Sequence, residues 1–183
     1  MTCRCRLVAF SQFQHCAKYL LSRCLLLFAW CLLFSACAGS SNLVRPIDEN
    51  GLQQLIKQAR GKVVFVNFWA TWCDPCVAEF SDLVKIAREF QPRGVEMILV
   101  SIDEPEDIGR KVEPFLKTQG VVFRTYFKRT RDDEVFINAI DKKWSGAIPA
   151  AFIYDARGAL AKSFIAQQSF ETFAAALDSL LPK

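Results

Sequence analysis

A short segment in the first half of this 183-residue chain constrains its fold most strongly. Residues 62–70, KVVFVNFWA, are β-branched and aromatic with almost no polar interruption, which is typical of a central strand covered on both faces. Cys73 and Cys76 follow almost at once. Pro75, between them, suits the first turn of a helix, where its missing N–H costs nothing. The segment therefore predicts a buried strand that leads directly into a CxxC pair at the start of a helix.

The helix that begins at the cysteines carries an apolar stripe. Val77 belongs to this stripe, whereas Glu79 is among the polar residues that we expect to face away from the core. A second buried strand at 95–102 completes a βαβ unit with parallel strands. The other predicted elements are a helix over 51–59, a helix over 106–118 that Pro114 kinks or restarts, a strand at 121–127, a helix over about 132–140, a hairpin of strands 150–154 and 159–165, and a helix over 169–181.

The first 37 residues differ in composition from the rest of the chain. They contain four basic residues and no acidic one. Their apolar run, Cys24 to Phe34, is shorter than the ~20 residues that a helix needs to span a bilayer. A basic region, a short apolar region and an ending of small residues together predict an export signal.

The end of this leader resembles a bacterial lipobox. Its residues 34–37 read FSAC, and in a lipobox the cysteine is lipidated and becomes the new N-terminus. The resemblance implies a lipid on Cys37. The alternatives are an uncleaved membrane anchor and ordinary cleavage near Ala36 or Ala38. The expected organisation is an export signal over 1–37, a tether over 38–47 and a folded domain over 48–183.

Charge and cysteine usage exclude several classes of function. Outside the leader, 19 basic residues are balanced by 19 acidic ones, which leaves no basic excess for binding nucleic acid. Six of the eight cysteines and the only histidine lie within the leader. The domain retains Cys73 and Cys76 alone, too few for a structural zinc site with four Cys or His ligands. Histidine-dependent catalysis and a framework of several disulfides are excluded too. We expect neither a metal ion nor another cofactor.

The CxxC pair is suited to thiol–disulfide exchange. The N–H groups at a helix N-terminus stabilise an anion, so they favour the thiolate of Cys73. Cys76 lies one turn further along, close enough to form a disulfide with Cys73. We expect Cys73 to attack a substrate disulfide, and the more shielded Cys76 to resolve the resulting mixed disulfide. The alternative, a purely structural disulfide, would close a very small loop and add little stability.

The stretch NFWATWCDPC, residues 67–76, resembles the active-site segment of thioredoxin-like proteins, in particular the TlpA/ResA-like group of exported thiol:disulfide oxidoreductases. The resemblance covers roughly 51–181. It implies a thioredoxin-like α/β fold with a central mixed β-sheet flanked by helices, and an insertion between the βαβ unit and the C-terminal ββα unit. The residues that it implies in substrate binding are Trp72, Pro75, Ile148 and Pro149.

Pro149, in the stretch GAIPAAFIYD, matches the cis-proline of this family. In the family that loop lies beside the disulfide and pairs with the substrate backbone. An X-Pro bond is the only common place for cis geometry. The alternative is a trans proline that merely opens the following strand.

The sequence contains one candidate proton acceptor for the resolving thiol. Thioredoxin has a buried aspartate in the strand before its cysteines, but Asn67 stands there in this chain and cannot exchange a proton. The ResA-like group uses a glutamate just after the second strand, and the matching residue in VSIDEPED is Glu104. If partly buried, Glu104 would accept the thiol proton as a general base. The alternative is that Glu104 is one surface acid among Asp103 and its neighbours.

The charge beside the cysteines favours reduction of substrates. Asp74 disfavours a thiolate, which favours the disulfide form of this protein and makes its dithiol a better reductant. The resemblance also implies reduction of disulfides in exported proteins, in the bacterial periplasm or cell envelope. An oxidising compartment requires re-reduction from the cytoplasmic side, and the family implies a membrane electron donor of the DsbD/CcdA type. Apocytochrome c is one substrate class of such relatives.

Other activities share this motif or fold. A disulfide oxidase or isomerase would differ in reduction potential. A thiol peroxidase places its reactive cysteine in a different loop, which TWCDPC does not match well. A copper-binding assembly protein of the Sco type needs a wider cysteine spacing and a histidine ligand, and the domain has neither.

Overall fold

The computed structural model describes residues 43–182. The leader predictions, including lipidation of Cys37, lie outside these residues. The strands are β1 (Val44–Ile47), β2 (Val63–Trp69), β3 (Val95–Ser101), β4 (Thr125–Lys128), β5 (Ala150–Tyr154) and β6 (Leu160–Ile165). The α-helices are α1 (Glu49–Gln58), α2 (Asp74–Phe90), α3 (Glu113–Thr118), α4 (Asp133–Ile140) and α5 (Phe170–Asp178), with 3₁₀ turns at Gln91–Arg93 and Pro105–Asp107 and a π-helical turn at Ile108–Val112.

The six strands form one mixed sheet in the order β1-β4-β3-β2-β5-β6. The first four strands of this order run parallel, and β5 and β6 are each antiparallel to their neighbours. Between the β2-α2-β3 unit and the β5-β6-α5 unit lie the π-helical turn, α3, β4 and α4. The predicted mixed sheet with an insertion is therefore confirmed.

Apolar side chains fill both faces of the sheet. Every residue of β2 is buried, because its side chains alternate between two cores. Phe65 packs on the face covered by α2 and α5, where it meets Phe173 edge-on with ring centroids 5.0 Å apart. Phe68 packs on the opposite face beneath α1 and α4, against Phe136 and Trp144. Burial of one such side chain contributes about 1.5–3 kcal/mol. Strand β2 lies between β3 and β5 and is covered on both faces, so it is the central strand that the sequence predicts.

Two boundaries differ from the sequence-based expectation. Residues 44–47, assigned to the tether, form β1, which pairs in parallel with β4. Strand β4 begins at Thr125 instead of residue 121, because its pairing with β1 starts at Val44–Thr125 and its pairing with β3 starts at Val100–Tyr126. Pro114 lies in the first turn of α3, so it restarts the helix, one of the two outcomes considered.

Within residues 43–182, no helix combines the length and the apolar character that crossing a bilayer would require.

Candidate active site

The two cysteines lie at the edge of the sheet where the parallel strands β2 and β3 end. Strand β2 ends at Trp69, and Cys73 is the N-cap residue of α2. Its Sγ accepts a hydrogen bond from the backbone N–H of Cys76 at 3.3 Å. Pro75 occupies the first turn of α2, as the sequence predicts, and lies exposed at the surface.

Cys73 and Cys76 are joined by a disulfide, with their Cα atoms 5.2 Å apart. Cys73 retains 6% of its surface exposed, whereas Cys76 has none. A substrate can therefore reach only the first sulfur directly. The N-terminus of α2 points its N–H groups at that sulfur and favours a thiolate there when the bond is reduced.

The Ile148–Pro149 peptide bond is cis. Strand β5 begins next to it, and because Ala150 pairs with Phe68, Pro149 lies at the same edge of the sheet as the disulfide. The carbonyl oxygen of Pro149 accepts a hydrogen bond from the N–H of Ala166 at 3.1 Å. Within residues 43–182, the N–H and C=O of Ile148 have no hydrogen-bond partner, so they are available to a bound peptide.

Apolar side chains surround the disulfide at the surface. Trp72, directly before Cys73, is 60% exposed, and Val77 in the first turn of α2 is 37% exposed. Ile148 is half-buried. The prediction that Val77 belongs to the buried stripe of α2 is wrong, because the buried face of this helix turns toward Cys76 instead.

Glu79 lies on this buried face and is 1% exposed. Its Oε1 accepts from Nδ2 of Asn67 at 3.1 Å, and its Oε2 accepts from the backbone N–H of Gln168 at 2.6 Å. Burial raises the pKa of Glu79 to about 6, against the lowering effect of these two hydrogen bonds. The expectation that Glu79 faces solvent is therefore wrong. Its position three residues after Cys76 puts both side chains on one helix face, and this spacing is the signal that could have identified it.

Asp103 is a second buried carboxylate, 2% exposed, just after β3. It accepts hydrogen bonds from the backbone N–H of Thr71, at 3.0 Å to Oδ2, and from the Thr71 hydroxyl. The hydroxyl of Ser101 donates to Oδ2 at 2.7 Å and accepts from the backbone N–H of Asp103 at 3.0 Å. This network ties the loop before Cys73 to the end of β3.

Glu104, the carboxylate expected to act as a base, is exposed. The expected role requires a partly buried carboxylate, because desolvation is what moves a carboxyl group toward a neutral pKa. The buried residue of this loop is Asp103, which was expected to lie among the surface acids. Within residues 43–182, no group of three or more Cys, His, Asp or Glu side chains is placed to hold a metal ion.

Comparison of the sequence with known proteins assigns the chain to a family. Residues 43–163 match the AhpC/TSA family. The thiol-disulfide oxidoreductase ResA of Geobacillus thermodenitrificans strain NG80-2 is 32% identical over 135 residues, which cover 74% of this chain and 72% of that protein. ResA of Bacillus subtilis strain 168 is 30% identical over 115 residues, 63% of this chain and 59% of that protein. The chain belongs to the AhpC/TSA family, among the ResA-type thiol-disulfide oxidoreductases.

Solved structures agree with this assignment. The crystal structure of a thiol:disulfide interchange protein of the thioredoxin family from Chlorobium tepidum TLS aligns with a TM-score of 0.58 and 26% identity. The alignment covers 69% of this chain and 84% of that one. The predicted thioredoxin-like fold and the predicted thiol-disulfide oxidoreductase activity are therefore confirmed.

In this ResA-type enzyme, the fold brings most of the predicted site residues together. Cys73, Cys76, Trp72 and Pro75 follow β2, and Pro149 precedes β5 at the same edge of the sheet. The two carboxylates that sequence reasoning missed, Glu79 and Asp103, lie behind this edge. The groups that donate hydrogen bonds to these carboxylates belong to Asn67, Gln168, Thr71 and Ser101. Helical or strand periodicity does not show that these residues are neighbours.

Proposed function

We propose that this enzyme reduces disulfides of exported proteins by dithiol–disulfide exchange at Cys73 and Cys76. The observation that carries the proposal is the asymmetry of the pair, since Cys73 keeps 6% of its surface exposed and Cys76 keeps none. Asp74, exposed between them, adds a negative charge that disfavours thiolates and so favours the disulfide form of the enzyme. A dithiol that closes readily into its disulfide is a reductant.

The exchange proceeds in two balanced steps. The Cys73 thiolate attacks one sulfur of the substrate disulfide, forms an enzyme–substrate disulfide and releases the other substrate sulfur as a thiolate. The Cys76 thiol then loses its proton and attacks the Cys73 sulfur, which releases the second substrate thiolate and closes the Cys73–Cys76 disulfide. Two electrons pass from the enzyme to the substrate. Of the two protons that the substrate thiolates take up, one balances the proton lost by Cys76 and the other comes from water.

We assign the proton acceptor for Cys76 to Glu79 instead of Glu104. Glu79 lies one helical turn after Cys76 on the same buried face, and its pKa of about 6 suits transfer near neutral pH. Glu104 is open to solvent and lies on a different element. Asn67 supports this assignment, because its amide holds one Glu79 oxygen but cannot itself take the proton.

The substrate backbone is proposed to pair with the loop before the cis-proline. Ile148 presents an N–H and a C=O that no group within residues 43–182 occupies, so an extended peptide can form two hydrogen bonds there. The exposed ring of Trp72 and the adjoining Pro75 provide apolar contact beside the Cys73 sulfur. Pro149 holds the loop in place through its bond to Ala166.

The place of action that we propose is the bacterial periplasm or cell envelope. The basic and apolar leader supports export, and Cys37 at its end supports a lipid anchor in the membrane. A membrane electron donor of the DsbD/CcdA type would return the disulfide to the dithiol, and apocytochrome c is a candidate substrate. A secreted relative is known among the structural neighbours, a disulfide oxidoreductase of Mycobacterium tuberculosis.

The test is capture of the mixed disulfide in cells. A full-length Cys76→Ser variant cannot resolve the intermediate, so we expect it to accumulate covalent adducts with exported proteins that reducing agent releases. The matched control, Cys73→Ser, keeps the buried thiol and should form none. Equal adduct formation by the two variants, or adducts confined to cytoplasmic proteins, would contradict the proposal.

A further inference from the structure

A basic cavity lies at the end of the sheet opposite the disulfide. Strands β3 and β4 pair only at Val100–Tyr126 and Ser101–Phe127, and toward their starts they diverge. The cavity, of about 320 Å³, lies at this divergence and has Arg60, Lys62 and Arg124 in its lining. We refer to it as the basic cavity.

The charge of this cavity is only partly balanced. Glu96 is the one acidic residue that lines it, and it pairs with Lys62 at 3.0 Å. Arg60 and Arg124 are exposed, and neither forms a salt bridge with any residue in 43–182. Lys57 and Arg60 also line a neighbouring depression, which extends the positive surface.

The opposite end of the domain carries exposed acidic residues beside the disulfide, and the exposed Arg129 and Arg131 follow β4 at the same edge of the sheet. Asp74, Glu104 and Glu106 are exposed around the disulfide, and none of them forms a salt bridge within the described part of the chain. Strand β2 runs between the two ends and spans about 20 Å. An anionic surface therefore attracts the cavity end of the domain and repels the acidic residues beside the disulfide.

The chain also enters the domain beside the basic cavity. The carbonyl oxygen of Leu43 accepts a hydrogen bond from the N–H of Thr125 at 2.9 Å, so the first described residue lies next to Arg124. Cys37, the proposed lipid site, is six residues before Leu43. Six residues reach at most about 20 Å, which would hold the cavity end close to a membrane.

We propose that the basic cavity binds anionic lipid headgroups and thereby turns the active site away from the membrane. The proposal extends the membrane attachment proposed above. Each basic side chain near an anionic bilayer strengthens binding about five-fold, and salt weakens the effect. In this orientation Cys73 faces the aqueous space, where protein substrates can reach it.

The test places a fluorophore at the cavity and measures its contact with lipid. The anchored full-length protein, with Gln58→Cys labelled, is reconstituted into vesicles that contain a headgroup-spin-labelled lipid as a quencher. Gln58 is exposed and lines the basic cavity. The parallel reporter is Glu106→Cys beside the active site, and the unsubstituted protein corrects for labelling of other thiols.

In vesicles of mixed phosphatidylglycerol and phosphatidylcholine, we expect quenching at position 58 and little at position 106. In pure phosphatidylcholine the preference should disappear. Arg60→Gln and Arg124→Gln should each lower the ratio of contacting to free domain about five-fold. Arg131→Gln, which removes an exposed charge beyond the far end of β4, is the matched control and should change nothing.

The two proposals can fail separately. Loss of flotation with pure phosphatidylcholine vesicles would contradict the anchor, yet quenching at position 58 in anionic vesicles would still support the basic cavity. Equal quenching at positions 58 and 106 in anionic vesicles would overturn the lipid-binding proposal, whether or not the protein is anchored. Quenching at position 58 that inorganic phosphate abolishes, and chloride of equal ionic strength does not, would also overturn it in favour of a free-anion site.

Discussion

Asp103 and Glu79 are two carboxyl groups with nearly the same burial and different surroundings. Asp103, 2% exposed, accepts from the N–H and hydroxyl of Thr71 and from the hydroxyl of Ser101. Glu79, 1% exposed, accepts from one amide group and one backbone N–H, and burial raises its pKa to about 6. The hydrogen bonds, and not the burial, distinguish the two sites.

This difference suggests two roles behind one active site. A carboxylate that accepts several hydrogen bonds fixes the groups that donate them. Asp103 thereby holds the loop that carries Trp72 and Cys73. Burial raises the pKa of Glu79 to about 6, and we propose Glu79 as the proton acceptor because it lies one helical turn after Cys76 on the same buried face.

The largest expected effect is on stability at Asp103. Asp103→Ala leaves three donors, one buried and two partly buried, without an acceptor, and we expect the free energy of unfolding to fall by about 3 kcal/mol. Asp103→Asn retains one acceptor and should lose about half as much. Urea denaturation of the oxidised proteins measures both values. A loss below about 1 kcal/mol in the alanine variant would show that Asp103 does not hold the loop.

The next effect concerns catalysis by Glu79. Loss of a general base typically costs about 10²-fold or more, so we expect Glu79→Gln to slow disulfide reduction about 10²-fold above pH 6. In the wild-type enzyme we expect the rate to rise as Glu79 loses its proton near pH 6, and this step in rate should be absent from the Gln variant. Any pH dependence that comes from the thiols should remain. Stopped-flow reduction of a model disulfide between pH 5 and 8 gives the profile, at roughly unit intervals. An unchanged inflection near pH 6 in the Gln variant would show that another group titrates there.

Glu79 should also make stability depend on pH. Its pKa rises from 4.5 to about 6 on folding, so the folded state binds this proton more tightly than the unfolded state. Its stabilising contribution is present below pH 4.5 and is lost as pH rises through 6, by about 2 kcal/mol. The difference between wild-type and Glu79→Gln unfolding free energies isolates this change. Parallel curves for the two proteins would contradict the assignment.

The smallest effect is expected at Thr71. Thr71→Val removes the hydroxyl donor to Asp103 but keeps the backbone N–H, so it should cost about 1 kcal/mol. Thr71→Ser keeps the hydroxyl and serves as the control. Neither variant should alter the step in rate near pH 6. If Thr71→Val moves that step, the two carboxyl groups do not act separately.

The sequence predicts the parts of this structure that depend on local pattern. The buried β2, the CxxC pair at a helix start and Pro75 in its first turn follow from composition and spacing. The cis-proline at Pro149 follows from family resemblance. Strand β1 could not be predicted in this way, because its four residues include a proline and the strand that it pairs with, β4, is far away in the chain.

Local pattern points to Glu79 only through its spacing from Cys76, and it does not show that either carboxylate is buried. Asp and Glu are usually solvated, so pattern places Glu79 outside and groups Asp103 with its exposed neighbours. Hydrogen bonds from residues far away in the chain stabilise the buried carboxylates, for example the bond from Gln168 to Glu79 and the bond from Thr71 to Asp103. Those donors come together only in the folded protein, where Glu79 is buried and Glu104 is exposed.

The reduction potential of the Cys73–Cys76 pair tests the central claim most directly. The full-length chain, with its six leader cysteines replaced by serine, is equilibrated against glutathione and dithiothreitol buffers and its free thiols are counted. A reductase should show a potential near or below about −270 mV, the level of thioredoxin. A potential toward about −120 mV, the level of DsbA, would contradict the proposed direction and make the enzyme an oxidase.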